Sequence, residues 1–137
     1  MLISRRNPPV NIPPIFIGNS MIEWVSKSRL LEMTVDEKLT WTQHMLQLKK
    51  LFAKKLGLLK KSRFLPRNVR QDLYFKIILP SGTYGLILWE SCCNSDLFRS
   101  LERLHCRAAR LIFHLPKDMA SADVLQRAQW PTLFIIN

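Results

Sequence analysis

The chain has 137 residues, and its 21 lysines and arginines outnumber its ten aspartates and glutamates, which gives a formal charge of +11. The length suits one ordinary domain, and the 47% apolar content supplies a core, which argues against a disordered tail. No apolar run reaches the roughly 18 residues of a transmembrane helix, and the proline-rich N-terminus lacks the apolar stretch of a signal peptide.

The net charge indicates which class of partner the chain binds, and the cysteines indicate in which cellular compartment it is found. A positive surplus of this size favours an anionic partner, which is nucleic acid, an anionic membrane surface or an acidic protein. The three cysteines, two of them adjacent at Cys92 and Cys93, provide neither a disulfide framework nor a zinc-binding spacing. We therefore expect a reducing intracellular compartment, nuclear or cytoplasmic.

The N-terminal part of the chain has a β-like pattern. Apolar runs flank Gly18 and Asn19, a turn-type pair, and predict a short β-hairpin. The stretch from Arg29 to Val35 is predicted to be a further extended piece that joins this hairpin. Because Asp36 introduces a polar break, we treat residues 1–37 as a first segment.

The hydrophobic period then changes to that of a helix. Capping-box spacing between Thr40 and Gln43 predicts the start of the first long helix. Its apolar residues recur at steps of three and four, as one buried side requires. These residues are Trp41, Met45, Leu48, Phe52, Leu56 and Leu59.

A second helix is predicted after Pro66, which suits the first turn because its missing N–H is harmless there. Its predicted buried side comprises Val69, Leu73 and Ile77, with Ile78 as a further candidate. Pro80 is expected to break or kink this helix. The apolar segment from Tyr84 to Glu90 is interpreted as helix resuming beyond the kink, with a strand as the alternative.

A third helix is predicted to begin at Asn94 or Ser95, with Asp96 near the positive end of the helix dipole, and to end before Pro116. Its apolar positions again recur at steps of three and four. They are Leu97, Leu101, Leu104, Ala108, Leu111 and Leu115. A short fourth helix is predicted at Ala122–Gln129.

These patterns predict a mainly α fold, in which a small N-terminal β-hairpin precedes a bundle of three to four helices. Residues 38–116 form the helical domain in this interpretation. Residues 117–137 form the start of a further segment, and their apolar end, FIIN, is typical of a chain cut inside a larger protein.

Basic residues of the first and third helices fall away from the apolar stripes. We predict as phosphate contacts Lys49, Lys50, Lys54, Lys61, Arg63, Arg99, Arg103, Arg107 and Arg110. Such side chains release condensed counterions when they contact phosphates, so the pattern favours binding to a nucleic-acid backbone. One basic helix alone is more simply interpreted as a solvated face, but two basic helices together with the net charge favour nucleic acid.

Other chemistry has little support in the sequence. Trp41 and Trp89 occupy apolar periodic positions, so we expect them in the core rather than stacked on bases. The histidines and cysteines lack metal-ligand spacing, and no metal or other cofactor is expected. No Asp-Asp pair, phosphate-binding loop or hydrolase motif occurs, so no catalytic residue is predicted.

The order of several motifs resembles the region after the catalytic palm in reverse transcriptases of non-LTR, LINE-type retrotransposons. The motifs are IEWVSKSRLLEMTVDEKLTWTQH (22–44), KKLGLLKKSRFLP (54–66), YGLILW (84–89), LERLHCRAARLIF (101–113) and WPTL (130–133). Together they span roughly residues 15–133. The resemblance implies a β-hairpin at the palm–thumb junction and a helical thumb that grips the template–primer duplex through its backbone.

The resemblance also implies a primer-grip-like turn at Arg29, Leu31 and Glu32. Glu32 stands where the family has glycine, which permits backbone geometry and close approach to the primer end. A carboxylate there would repel a phosphate.

The family's catalytic aspartates would lie upstream of Met1, so the resemblance implies a non-catalytic fragment of an RNA-directed DNA polymerase. Its implied partners are an RNA–DNA hybrid or other duplex nucleic acid and the palm domain of the parent polymerase. The alternative is a basic helical interaction module that binds an acidic protein or an anionic membrane surface.

Overall fold

The computed structural model describes residues 1–4, 6, 11–89 and 95–133. Two antiparallel hairpins come first. In one, β1 (Phe16–Ile17) pairs with β2 (Ser20–Met21), and in the other, β3 (Lys27–Leu30) pairs with β4 (Met33–Asp36). The hairpin predicted around the Gly-Asn pair is confirmed.

The expectation that residues 29–35 join the first hairpin as one extended piece is wrong. Leu30 and Met33 are paired across a two-residue turn, so this stretch folds back into a separate two-stranded sheet. The turn residues Leu31 and Glu32 have φ values of 48° and 64°. Positive φ at both central residues is the signature of a type I′ turn, whose twist matches that of a hairpin.

Helices form the rest of the described chain. They are α1 (Thr42–Lys61), α2 (Arg67–Leu73), a π-helical turn (Tyr74–Ile78), α3 (Leu79–Thr83), α4 (Leu86–Trp89), α5 (Ser95–Phe113) and α6 (Ser121–Ala128). α1 and α5 pack directly against each other, α6 packs on α5, and β4 packs on α1. The protein is therefore mainly helical with small N-terminal hairpins, as the hydrophobic periods predict.

The start of α1 differs from the prediction, because no capping box forms at Thr40. α1 begins at Thr42, after Trp41 in the left-handed conformation, and Asp36 organises the preceding loop. Its carboxylate accepts hydrogen bonds from the backbone N–H groups of Lys38, Thr40 and Trp41 at 3.0, 3.0 and 3.2 Å. The Thr40 hydroxyl donates a fourth at 2.8 Å. Burial acts to raise the pKa of the Asp36 carboxyl, but these bonds outweigh it and lower the pKa.

Of the two predicted effects of Pro80, the break is wrong, because the helix that follows Pro66 continues from Arg67 to Thr83. The alternative of a kink stays a prediction. Within the π-helical turn the Leu79 N–H donates to the Tyr74 carbonyl, five residues earlier. We attribute the continuation of the helix through Pro80 to this wider turn.

The side of this helix that faces the core is shifted by one residue from the prediction. Val69 and Ile77, predicted to be buried, are 41% and 58% exposed, and Leu73 is half-buried.

The buried residues of α2 and the π-helical turn are Arg70, Tyr74 and Ile78, of which only Ile78 was a predicted candidate. They recur at steps of four, so a helical period holds along these two elements, with their buried side one position later than the apolar spacing predicts.

Two predicted boundaries lie at the edge of the described residues. α4 confirms that Tyr84–Glu90 contains helix rather than strand, although Glu90 itself is outside the described part. α5 begins at Ser95, and the alternative start at Asn94 is likewise outside it. The predicted fourth helix is confirmed as α6.

One hydrophobic core joins β4, the helices and the chain after α6. Trp41 and Trp89 are 8% and 0% exposed, which confirms their predicted place in the core. Met33 from β4 and Trp130 beyond α6 belong to the same core. The division into 1–37, 38–116 and 117–137 stays a prediction, although all three segments contribute to that core.

An aromatic cluster fixes the chain after α6 to the bundle. The Trp130 ring stacks on Tyr74 with centroids 4.8 Å apart, and the Tyr74 hydroxyl lies 2.6 Å from Nδ1 of His105. Nε2 of His105 lies 3.0 Å from the Pro131 carbonyl oxygen, which only accepts. Nε2 therefore carries the proton, and Nδ1 accepts from the tyrosine.

Buried neutral histidines predict a specific pH dependence of stability. Burial lowers the pKa of both His44 and His105 below the ordinary 6.5. The unfolded chain then binds more protons than the folded chain in the window between the folded pKa values and 6.5. We expect the urea midpoint to be constant between about pH 6.5 and 8 and to fall as the pH drops from about 6.5 towards about 5. A midpoint that does not change over this range would contradict the burial of neutral imidazoles.

Candidate nucleic-acid interface

The lysines of α1 lie on the side of the helix that faces solvent. α1 contains six lysines and no acidic residue. Lys50, Lys54 and Lys61, which we call the lysine row, are exposed and are spaced four and seven residues apart. This spacing places them along one side of the helix, while Lys49 is half-buried beside them.

A second set of cations lies along α5. Arg99, Arg103 and Arg107, which we call the arginine row, are exposed at intervals of four residues. Arg110 is half-buried, and one of its terminal nitrogens donates to the Met119 carbonyl at 2.7 Å. Part of its hydrogen-bonding capacity therefore holds the loop before α6 against α5.

Most of these charges have no acidic partner within the described part of the chain. The ion pairs there are Arg29–Glu32, Lys76–Asp72 at 3.1 Å and Arg99–Asp96 at 3.9 Å. The Arg99 pair is exposed on both sides, so it contributes little energy. The lysine row and the other two members of the arginine row are paired with no described carboxylate, which leaves their charge available to an anion.

The packing of the two helices sets the orientation of both rows. α1 and α5 bury their apolar sides in the shared core and lie next to each other. Each row therefore projects outward from a helix that is held rigidly by its opposite side. Sequence periodicity alone was sufficient to place the members of the rows on these sides.

The primer-grip-like residues lie at the tip of the hairpin β3–β4. Arg29 and Glu32 are exposed and ion-paired with each other, and Leu31 is 72% exposed. Arg29 and Glu32 also line the mouth of a cleft of about 660 Å³ between the hairpin, α1 and α3. Glu32 has a positive φ, which glycine adopts most readily. The backbone conformation therefore favours glycine at this position, which is the residue that the resembled family has there.

Restoring glycine at this turn is expected to stabilise the protein. We expect Glu32→Gly to raise the free energy of unfolding by about 1 kcal/mol, because the side chain no longer opposes positive φ. Urea unfolding measures the change. Glu32→Gln is the matched control, since it removes the charge but keeps the β-carbon, and it should change stability by less than about 0.5 kcal/mol. A Glu32→Gly variant no more stable than Glu32→Gln would show that the turn is not strained.

Sequence reasoning missed two arginines of α2. Arg70 is 2% exposed, and its guanidinium donates to the Leu111 carbonyl and lies 3.2 Å from Nε2 of His114. The Arg67 guanidinium carbon lies 5.4 Å from the centre of the Phe113 ring. The sequence shows that Arg67 and Arg70 are three residues apart and so lie on one side of a helix. Only the structure shows that this side of α2 packs against the end of α5.

Metal ligation and membrane insertion find no support across the described ranges. No three His, Cys, Asp or Glu side chains there come together as potential metal ligands. None of the helices in those ranges has the length and apolar character needed to cross a membrane.

The chain is similar to a transposon polymerase. It is 26% identical over 114 residues to the probable RNA-directed DNA polymerase from transposon X-element of Drosophila melanogaster. The match covers 80% of this chain and 12% of that polymerase. No protein-family profile and no solved structure matches the chain. The similarity supports a relationship to one part of a reverse transcriptase.

Proposed function

We propose that this chain is a thumb-like part of a reverse transcriptase and binds the backbone of a template–primer duplex. The proposal is carried by the lysine row, a set of exposed cations on a helix that contains no acidic residue. The similarity to an RNA-directed DNA polymerase of a transposon makes nucleic acid the expected anion.

The exposed groups favour backbone contacts over recognition of bases. Lysines and arginines on rigid helices bind phosphates without reading sequence. Trp41, Trp89 and Trp130 are buried and cannot act as stacking platforms for bases. Their burial leaves Trp24, at 40% exposure, as the one tryptophan in the described chain that is open to solvent. We therefore expect similar affinity for duplexes of unrelated sequence.

We also propose that the chain does not polymerise on its own. Two-metal polymerisation needs carboxylates that hold a pair of ions a few ångströms apart. The sequence has no adjacent pair of aspartates, and its ten acidic residues are scattered. In this proposal the catalytic residues belong to the palm domain of a parent polymerase, which is also the expected protein partner.

The rival proposal of a membrane-binding amphipathic helix is less favoured by the fold. A helix that lies in a membrane surface needs a free apolar side. The apolar sides of α1 and α5 are occupied by the protein core. Binding to an acidic protein is the other rival proposal. Titration with an RNA–DNA hybrid distinguishes it from binding to nucleic acid.

Fluorescence anisotropy of a labelled RNA–DNA hybrid at several salt concentrations tests the proposed function. Six phosphate contacts predict a slope of log affinity against log salt of roughly −5. Two hybrids of unrelated sequence should give the same slope. Affinity that is independent of salt, or recruitment to anionic vesicles without any affinity for the hybrid, would reject the proposal.

A further inference from the structure

Three arginines at one end of the bundle form a cluster that lies outside both rows. They are Arg63, in the turn after α1, and Arg67 and Arg70 on α2, and we call them the arginine trio. Of the three, only Arg63 was predicted as a phosphate contact. Arg67 and Arg70 both contact the C-terminal end of α5.

Arg70 is a buried cation at the base of the trio. Its guanidinium donates to the Leu111 carbonyl, and because arginine only donates, Nε2 of His114 must accept from it. Its Nε is buried and has no hydrogen-bond partner among the residues that the structure describes. The Leu111 carbonyl and the His114 imidazole accept hydrogen bonds from some of the donors of this guanidinium, but neither carries a negative charge that would neutralise it.

Arg67 is held in place above an aromatic ring. Its guanidinium lies over Phe113, and Phe113 in turn packs edge-on against Trp130 with ring centroids 5.9 Å apart. A guanidinium placed on an aromatic face keeps its planar fork free to bind an oxyanion. The aromatic support therefore orients Arg67 and leaves its donors available.

The trio concentrates positive charge, and it is ion-paired with no carboxylate in the described part of the chain. Burial, and then the neighbouring cations Arg63 and Arg67, lower the pKa of Arg70. The nearest acidic residue in the sequence, Asp72, pairs with Lys76 instead. None of the carboxylates that the structure describes forms an ion pair with a member of the trio. Three neighbouring guanidiniums that lack a counter-charge repel one another unless an anion joins them.

We propose that Arg63 and Arg67 hold one phosphate group of the bound nucleic acid, with the buried charge of Arg70 behind them. The site deepens the proposed function, on which it rests, by assigning a fixed phosphate position at one end of the bundle. Two arginine forks match the geometry of a phosphate, and the third guanidinium adds attraction without needing to reach the ligand.

Thermal unfolding of the full chain in inorganic phosphate tests the site without nucleic acid. Phosphate at ten times its Kd should raise Tm by about 4 °C relative to chloride of equal ionic strength, and above Kd the rise should follow the logarithm of the phosphate concentration. Phosphate also stabilises proteins non-specifically by its exclusion from their surface, and that effect grows in proportion to its concentration. A rise that is linear in concentration would therefore overturn the proposal.

Two double variants locate the effect. Arg63→Gln/Arg67→Gln should abolish the logarithmic rise in Tm, whereas Lys38→Gln/Lys117→Gln removes the same charge from exposed positions outside the helices and should retain it. Circular dichroism of each variant shows whether the helices are intact. Equal responses to phosphate in the two variants would mean that net charge, and not the trio, is responsible.

The salt dependence of hybrid binding then shows whether the phosphate group at this site belongs to the nucleic acid. The Arg63→Gln/Arg67→Gln variant should lower the magnitude of the salt slope by about 2, one for each arginine that no longer binds phosphate. A logarithmic response of Tm to inorganic phosphate with an unchanged salt slope would overturn the nucleic-acid assignment of this site. That outcome would leave the proposed function of the two rows intact, whereas a wild-type chain without any affinity for the hybrid would reject the proposed function itself.

Discussion

Replacing Lys50 and Lys54 by glutamine is expected to weaken binding of an RNA–DNA hybrid by about 200-fold at about 50 mM salt and about 20-fold at about 200 mM. Both lysines are exposed and unpaired with any described carboxylate, so each is free to contact a phosphate. Without these two side chains, binding releases about two fewer counterions, and the contribution of that release is largest at low salt. Anisotropy titrations at the two concentrations measure the effect.

A matched control separates position from net charge. Lys38→Gln/Lys117→Gln removes the same two charges from exposed positions outside the helices. We expect this variant to lose less than about 5-fold in affinity, since only the long-range attraction changes. If both double variants lose affinity equally, the lysine row is not a binding surface.

Replacing Trp130 by alanine is expected to cost about 3–5 kcal/mol of the free energy of unfolding. The indole is 7% exposed and stacks on Tyr74, and it also contacts Phe75 and Phe113. Its removal leaves a cavity at the centre of the aromatic cluster and separates the end of the described chain from the bundle. Urea unfolding followed by circular dichroism measures the loss.

The exposed tryptophan provides the control for this prediction. Trp24 is 40% exposed, and Trp24→Ala should change the free energy of unfolding by less than about 1 kcal/mol. Equal losses in the two variants would show that the segment after α6 does not belong to the core. The result also bears on residues 117–137, which the sequence assigns to a separate segment.

Hydrophobic spacing predicted the helices that bury one continuous side. In α1, Met45, Leu48 and Phe52 recur at helical intervals and all lie in the core. The lysine row follows from the same pattern, since residues outside an apolar stripe face solvent. These features depend on local periodicity, which a sequence displays directly.

Features that depend on irregular backbone or on distant contacts were not predictable. The buried side of the helix after Pro66 lies one position later than its apolar spacing predicts, so that Tyr74 is in the core and Ile77 is in solvent. Leu31 and Glu32 are unusual residues for a type I′ turn, so the second hairpin was interpreted as one extended piece. Arg70 is buried only because α2 meets the end of α5, a contact between residues far apart in the chain.

The arginine trio illustrates the same limit at a candidate site. Arg63, Arg67 and Arg70 recur at steps of four and three, but basic residues with this spacing are most simply interpreted as a solvated surface. Burial of Arg70 and the Phe113 ring beneath Arg67 distinguish the cluster from an ordinary exposed surface. Both observations require tertiary structure.

Lysine acetylation footprinting with and without an RNA–DNA hybrid tests most directly whether the lysine row contacts nucleic acid. Mass spectrometry reports the modification of each lysine, so the measurement gives positions as well as binding. We expect the hybrid to protect Lys50, Lys54 and Lys61 several-fold, and to leave Lys38 and Lys117 as reactive as in the free chain. Uniform protection of all lysines, or protection of the loop lysines alone, would contradict a duplex bound along α1.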